Sequence, residues 1–244
     1  MGHAVTMLER TEVIGGQQSL AAASPGGAAI ADGLLRNVRR TIAEVDVRLG
    51  VEATSSMLRE LRADAIVVTT GARPFEPELP LDGMAVAQAW DALAAPGSFA
   101  GRVVIADWGG DPAGVNAAET LVAAGARVTL CVASAAFGES VHQYRRNLYL
   151  QRLYRAGVEI RMHLVLGGVA DGVACFGNAF APELETTIDA DWLILALGRV
   201  PNDTLAPELA AAGMTVEEAG DCLSPRSLEE AVLEGTLAAR RLFA

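Results

Sequence analysis

The chain has 244 residues, 51% hydrophobic and 5% aromatic, with a formal net charge of -11. Two small domains or one large one can be filled, with aliphatic side chains rather than rings doing the packing. The charge argues against nucleic acid, which needs clustered Lys and Arg, and the most apolar stretch, "DWLILALG", falls far short of the ~20 residues that cross a bilayer.

In chain order, "AVTMLER" (4–10) predicts a strand with a charged end, and "VIGGQQSLAAASPGG" a loop. Helical periodicity follows over 28–45. "VDVRLGVEA" and "ADAIVVTTG" predict strands. Pro74, Pro77 and Pro80 then exclude any regular element and mark a domain boundary. "AVAQAWDALAAPG" predicts a short helix stopped by Pro96 and Gly97. "RVVIAD", "PAGVNAAETLVAAG" and "ARVTLCVAS" predict strand, helix and strand, the length of a parallel crossover. "SVHQYRRNLYLQRLYRAG" predicts an amphipathic helix with Tyr144, Leu148 and Arg152 in one stripe, a core face with a charged outer side. Four short strands precede the buried strand in "DWLILALG". A short strand, a loop and a last helix close the chain. "AIVVTTGARP" and "WLILALGRVP" share one design: apolar strand, glycine, arginine, proline.

The three cysteines, Cys131, Cys175 and Cys222, lie far apart, so no dithiol pair, zinc site or iron–sulfur site is written locally. "MGHAVTMLER" has no signal-peptide pattern. The expectation is a cytoplasmic protein without a metal. His3, His142 and His163 share no ligand spacing, and no catalytic triad is visible, so no catalytic residue is assigned.

The order "VTMLER…IGGQ…AIVVTTGARP…RVVIAD…WLILALGRVPN…GDCLSPRSLEEAV" resembles the C-terminal nucleotide half of the trimethylamine dehydrogenase and 2,4-dienoyl-CoA reductase family. Full-length members carry an old-yellow-enzyme-like barrel with FMN and a four-iron cluster, then a glutathione-reductase-like pair of nucleotide domains. The resemblance implies an α/β fold of nested Rossmann-type domains. Residues 1–82 and 201–244 would form an FAD- or ADP-binding-type domain lacking its initial βα unit, and 83–200 an inserted NAD(P)-binding-like domain. With Glu9 as the acidic end of the second strand, Met1 is expected to be a truncated or reassigned start, or a subunit boundary. The missing strand would be central, so a partner chain or a homo-oligomer is expected to complete the sheet.

The resemblance also implies site residues. Glu9 would bind the adenosine ribose, with Arg10 beside the adenine. Gly15, Gly16 and Gln17 would pass along the FAD. Thr70 and Gly71 in "TTGARP", and Gly198 in its second copy, would lie against the cofactor. Gly220 and Asp221 would meet the flavin's ribityl or pyrophosphate portion at the start of the last helix, where free amides favour anions.

The glycine turn at 109–114 is different. With Gly109 first and Gly114 third in a GxGxxG frame, Asp111 occupies the second place, where backbone must approach pyrophosphate. Two unit charges at 4 Å repel by roughly 4 kcal/mol at an effective dielectric near 20, about a thousandfold in affinity. The following strand ends in Ser134 without an acidic ribose ligand. The expectation is a turn that keeps a dinucleotide fold, with NAD(P) binding doubtful. The reading overall is a dinucleotide-binding module of a flavin-dependent oxidoreductase, inactive in isolation. The alternative is a catalytically inactive nucleotide-binding or interaction subunit.

Overall fold

A computed structural model describes residues 2–109 and 111–242. The first elements are β1 (Thr6–Leu8), α1 (Gln17–Ala21), α2 (Ala28–Thr41), β2 (Asp46–Arg48), α3 (Ser55–Leu61), β3 (Ile66–Val68) and β4 (Ala72–Pro74). Next come β5 (Ala85–Gln88), α4 (Ala89–Ala94), β6 (Arg102–Asp107), α5 (Ala113–Ala123), β7 (Arg127–Val132), α6 (Gln143–Arg155) and β8 (Glu159–Met162). The chain finishes with β9 (Leu164–Ala170), β10 (Val173–Asn178), β11 (Glu185–Ile188), β12 (Trp192–Ala196), β13 (Arg199–Pro201), α7 (Leu205–Ala211), β14 (Val216–Glu218) and α8 (Leu228–Leu242). Among the described residues no helix is long and apolar enough to cross a membrane.

Two compact units result. One comprises Met1–Gly16, Asn37–Phe75 and Arg199–Ala244, the other Gln17–Arg36 and Glu76–Gly198. The second unit is built on a five-stranded parallel sheet in the order β5-β12-β6-β7-β8. The middles of its central strands are apolar, as is usual where both faces of a parallel sheet are covered. Val104 and Ile105 on β6, and Leu193 and Ile194 on β12, have no exposed surface. Helix α5 is buried from Gly114 to Leu121, which explains its Ala-rich sequence: small side chains let it lie close to the sheet. A separate antiparallel sheet, β11-β10-β9, carries three of the four short strands read from the sequence, while the first of the four is β8 at the edge of the parallel sheet.

Residues 17–36 belong to this second unit, although the sequence had placed them with the first domain. A polar network holds them. The Ser24 hydroxyl donates to Asn116 Oδ1 at 3.0 Å and Tyr149 donates to the same oxygen at 2.9 Å. The Gly26 amide donates to Glu119 Oε2 at 3.0 Å. Glu119, buried on α5, is ion-paired with Arg152, whose guanidinium lies 4.9 Å from the Tyr149 ring centroid. Buried polar groups are tolerated when each finds a partner, and here their partners come from α5 and α6.

The first unit has three small sheets rather than one. β1 pairs β2 in parallel, β3 pairs β14 in parallel, and β4 pairs β13 antiparallel. Its core is Leu58, Val68, Ala206, Leu209 and Cys222, with Leu8, Ile66 and Val216 packed against it. The Cys222 thiol donates to the Val68 and Ala219 carbonyls. Cys131 is fully buried in β7, where burial pushes its thiol up to about 12.

Several local expectations are corrected. The loop predicted around residue 17 contains α1. Helix α3 was not foreseen; Thr54 caps it by accepting from the Met57 amide at 3.3 Å, and Arg62 ends it in the left-handed region. Pro74 lies inside a strand. A two-stranded ladder leaves each strand an outer edge, and proline is tolerated there. On α6 the buried residues are Tyr149 and Leu153, whereas Tyr144 and Leu148 are exposed. The stripe read from the sequence was set on the wrong side.

Candidate functional site

Sequence-predicted residues lie in both units. In the first unit, β1 delivers Glu9 at its carboxyl end. The Glu9 amide donates to Arg48 O at 2.9 Å, extending the β1–β2 pairing by one residue. Its Oε1 accepts from the Thr11 amide at 2.8 Å and the Thr11 hydroxyl at 2.9 Å. The half-buried carboxylate is therefore held in a fixed turn, with Arg10 exposed beside it. Gly15 and Gly16 follow with positive φ. A Cβ on Gly16 would meet no atom within 4 Å, so that backbone is approachable from outside. Gln17 opens α1 and belongs to the other unit.

The two glycine–arginine–proline copies meet directly. β4 and β13 pair with Arg199 opposite Pro74 and Pro201 opposite Ala72. The Thr70 hydroxyl donates to Asn202 O at 2.6 Å, and the Asn202 amide to Gly71 O at 2.9 Å. Gly71 and Gly198 both have positive φ, the turn that each strand exit requires. The internal repeat is thus a structural pairing, which the sequence did not announce.

β13 also places Arg199 against Asp221, and both side chains are largely buried. Asp221 Oδ1 accepts from the Arg226 amide at 3.2 Å, while Arg199 Nη2 donates to Arg226 O at 3.0 Å. The Gly220 amide donates to Glu234 Oε2 at 2.8 Å. Gly220 and Asp221 lie in a helical turn before α8, and Ser227 with Glu230 starts that helix as a capping box. The capping serine holds Glu230 below the usual carboxylate range. Sequence reasoning missed Arg199 as the partner of Asp221; its place in the second "GRxP" copy was the available signal.

The second unit's cluster is the turn from β6 to α5. Asp107, the last residue of β6, is 2% exposed. Its Oδ1 accepts from the Gly109 amide at 2.7 Å, and its Oδ2 has no hydrogen-bond partner. Desolvation in this pocket, with Asp111 adding repulsion, pushes its carboxyl up to about 7. Asp111 Oδ1 accepts from the Ala113 amide at 2.7 Å.

The two glycines of this turn are required by protein atoms. A Cβ on Gly109 would overlap the Ser134 side chain, and one on Gly114 would lie 2.8 Å from the Asp107 carboxyl carbon. In a dinucleotide turn the first of these glycines serves the tight turn and the third lets the helix pack close to the strand, while the second place lets backbone approach the pyrophosphate. Here Ser134 packs against the first and Asp107 against the third, and Asp111 stands at the second. Asp107 itself was not singled out from the sequence. A buried acid ending an apolar strand was the signal.

Residues 1–229 match the family described as pyridine nucleotide-disulphide oxidoreductase. An NADH oxidase of Thermoanaerobacter brockii is 30% identical over 242 residues, covering 96% of this chain and 36% of that protein. An N,N-dimethylglycine/sarcosine dehydrogenase of Chromohalobacter salexigens is 28% identical, covering 96% of this chain and 40% of that protein. The histamine dehydrogenase structure from Rhizobium sp. 4-9 superposes with a TM-score of 0.87 at 22% identity, covering 100% of this chain and 41% of that one. A 2-naphthoyl-CoA reductase structure gives 0.86 at 24% identity, covering 96% of this chain and 35% of that one. The chain spans well under half the length of these relatives.

Proposed function

The chain belongs to the pyridine nucleotide-disulphide oxidoreductase family, and from that premise we propose that it is the dinucleotide-holding module of a flavin-dependent oxidoreductase. The family implies FAD and NAD(P) as cofactors. The first unit takes the FAD or its ADP portion, with Glu9 receiving ribose hydroxyls and the Gly15–Gly16 backbone running along the nucleotide. The carrying observation is the fixed Glu9 carboxylate at the end of a parallel strand, followed by glycine backbone open to the outside. Arg199 orients Asp221 ahead of α8, so the acid presents itself as an acceptor rather than as a free charge. When bound, the flavin supplies the two-electron chemistry; the protein supplies binding, orientation and electrostatics. Substrate oxidation or reduction then takes place with another domain or subunit.

The test is reconstitution. The purified chain is incubated with FAD and, in parallel, ADP, then passed through a desalting column. Retained flavin absorbance, lost in Glu9→Ala, supports the reading, whereas no retention of either nucleotide contradicts it. The same preparation should not oxidise NADPH steadily without a further component; steady turnover would overturn the division of labour.

One observation favours a second reading, an interaction subunit. Among the described residues β1 pairs only β2, and β3 pairs only β14, so each strand has an edge that another strand can occupy. A partner chain or a second copy completing that sheet would shield those edges. Light scattering that returns a compact monomer, at all concentrations, counts against this.

A further inference from the structure

Helix α8 has an inner face that the first unit uses and an outer face that it leaves open. On the inner side Ala238 is fully buried, a Cβ on Gly220 would meet Ala231 at 3.5 Å, and Glu234 accepts the Gly220 amide. On the outer side Val232 is 58% exposed and Leu233 57%, with Leu237 exposed beyond them. Together with Glu229, Thr236 and Arg240 they occupy i, i+3, i+4, i+7, i+8 and i+11, which at 3.6 residues per turn is one continuous stripe. Thr236 donates its hydroxyl to Val232 O at 2.9 Å, so its polar group is satisfied within the helix. The charges of α8 divide in the same way. Glu230 is engaged by Ser227, Glu234 by Gly220 and Arg226, and Arg241 by Glu217. Among the described residues the Glu229 carboxylate and the Arg240 guanidinium have no such partner. They are opposite in sign and stand at the two ends of the apolar stripe.

We propose that this face seats α8 of a second copy of the chain, antiparallel, in a two-fold symmetric helix pair. The proposal rests neither on FAD binding nor on the open edges of β1 and β3. What identifies the occupant is that the face is complementary to itself. A two-fold axis between residues 234 and 235 sets Glu229 opposite the partner's Arg240, Val232 opposite the partner's Leu237, and Leu233 opposite the partner's Thr236. Symmetry makes each pairing occur twice. Apolar groups then meet in the middle, and opposite charges close both ends. A parallel pair would bring glutamate to glutamate and arginine to arginine, so the charges also select the direction. The helix dipoles act in the same sense, since the acidic first turn of one helix meets the basic last turn of the other. One helix pair is small for a stable interface, so the dimer is weak, dissociating in roughly the micromolar range.

The experiment is sedimentation equilibrium of the full chain over a concentration series spanning the micromolar range. A reversible monomer–dimer equilibrium is expected. Leu233→Asp, at an exposed position that folding tolerates, should weaken association by more than about tenfold, because the change enters the interface twice. Glu229→Arg and Arg240→Glu each set like charges opposite one another at both ends, so each variant alone should be monomeric where the wild type is dimeric. An equimolar mixture of those two variants should dimerise again, since each end of the mixed pair rejoins opposite charges. A wild-type chain that stays monomeric throughout overturns the proposal and leaves the face to another domain or chain. A dimer that persists in Leu233→Asp overturns it as well and assigns association to the strand edges. So does a mixture no more associated than its two components. Circular dichroism checks that the variants fold. Should a charge variant not fold, the comparison of Leu233→Asp with the wild type still decides.

Discussion

The two units use the same kind of parallel strand in opposite circumstances. β6 has β12 on one side and β7 on the other, and its Val104 and Ile105 are sealed from water. Among the described residues β3 has only β14, and its Val67 is 38% exposed. An apolar strand does not make a core by itself. It makes one when both neighbours and both faces are supplied, and the second unit supplies them within the described chain. Burial worth about 25 cal/mol per Å² of apolar surface then falls mostly to that unit.

Five substitutions probe that contrast. Leu130→Ala, at a fully buried site on β7, should cost about 2–5 kcal/mol. Val67→Ala in the first unit should cost under about 1 kcal/mol, since part of that side chain is already in water. Calorimetry of the full chain should show the first change shifting the second unit's transition, and equal shifts would erase the contrast.

The next effect depends on pH. Asp107 has its folded carboxyl raised from 3.8 to about 7. Below 3.8 both states hold the proton and nothing is lost. As pH rises from there, the unfolded chain releases it first, so stability falls, and the loss is complete above about 7. Roughly three units correspond to at most about 4 kcal/mol. Asp107→Asn should therefore flatten the decline of the second unit's melting temperature between pH 5 and 8, measured by thermal circular dichroism.

Arg199→Ala strips Asp221 of its cation in a largely buried place. The expected cost is about 2–3 kcal/mol, toward the low side for a broken buried pair because some solvent reaches it. Urea unfolding followed at the first unit is the measurement. Thr54→Ala, which removes the α3 cap, should cost about 1 kcal/mol.

Much of the second unit was legible because its signals are local. The inner residues of "RVVIAD" and "DWLILALG" are apolar, as those of doubly covered parallel strands must be. The resemblance also identified the α/β fold and the family. Asp111 in the glycine turn led the sequence reading to doubt NAD(P) binding, whereas the family to which the chain belongs implies both FAD and NAD(P). Other features were illegible for physical reasons. Ser24 and Gly26 meet Asn116 and Glu119 across more than ninety residues, and no periodicity reports such a pairing. Whether a turn glycine makes room for a ligand or for Ser134 depends on a side chain brought from another strand. On α6 both candidate stripes contain Tyr and Leu, so only the packed neighbour could choose Tyr149 and Leu153.

The small β4–β13 ladder has one more implication. Because Pro74 stands opposite Arg199, the two flanks of the segment between them are tethered side by side, as at the base of a tight hairpin. Loop-closure entropy rises only slowly with length, so a very long insertion between those flanks costs little more than a short loop would.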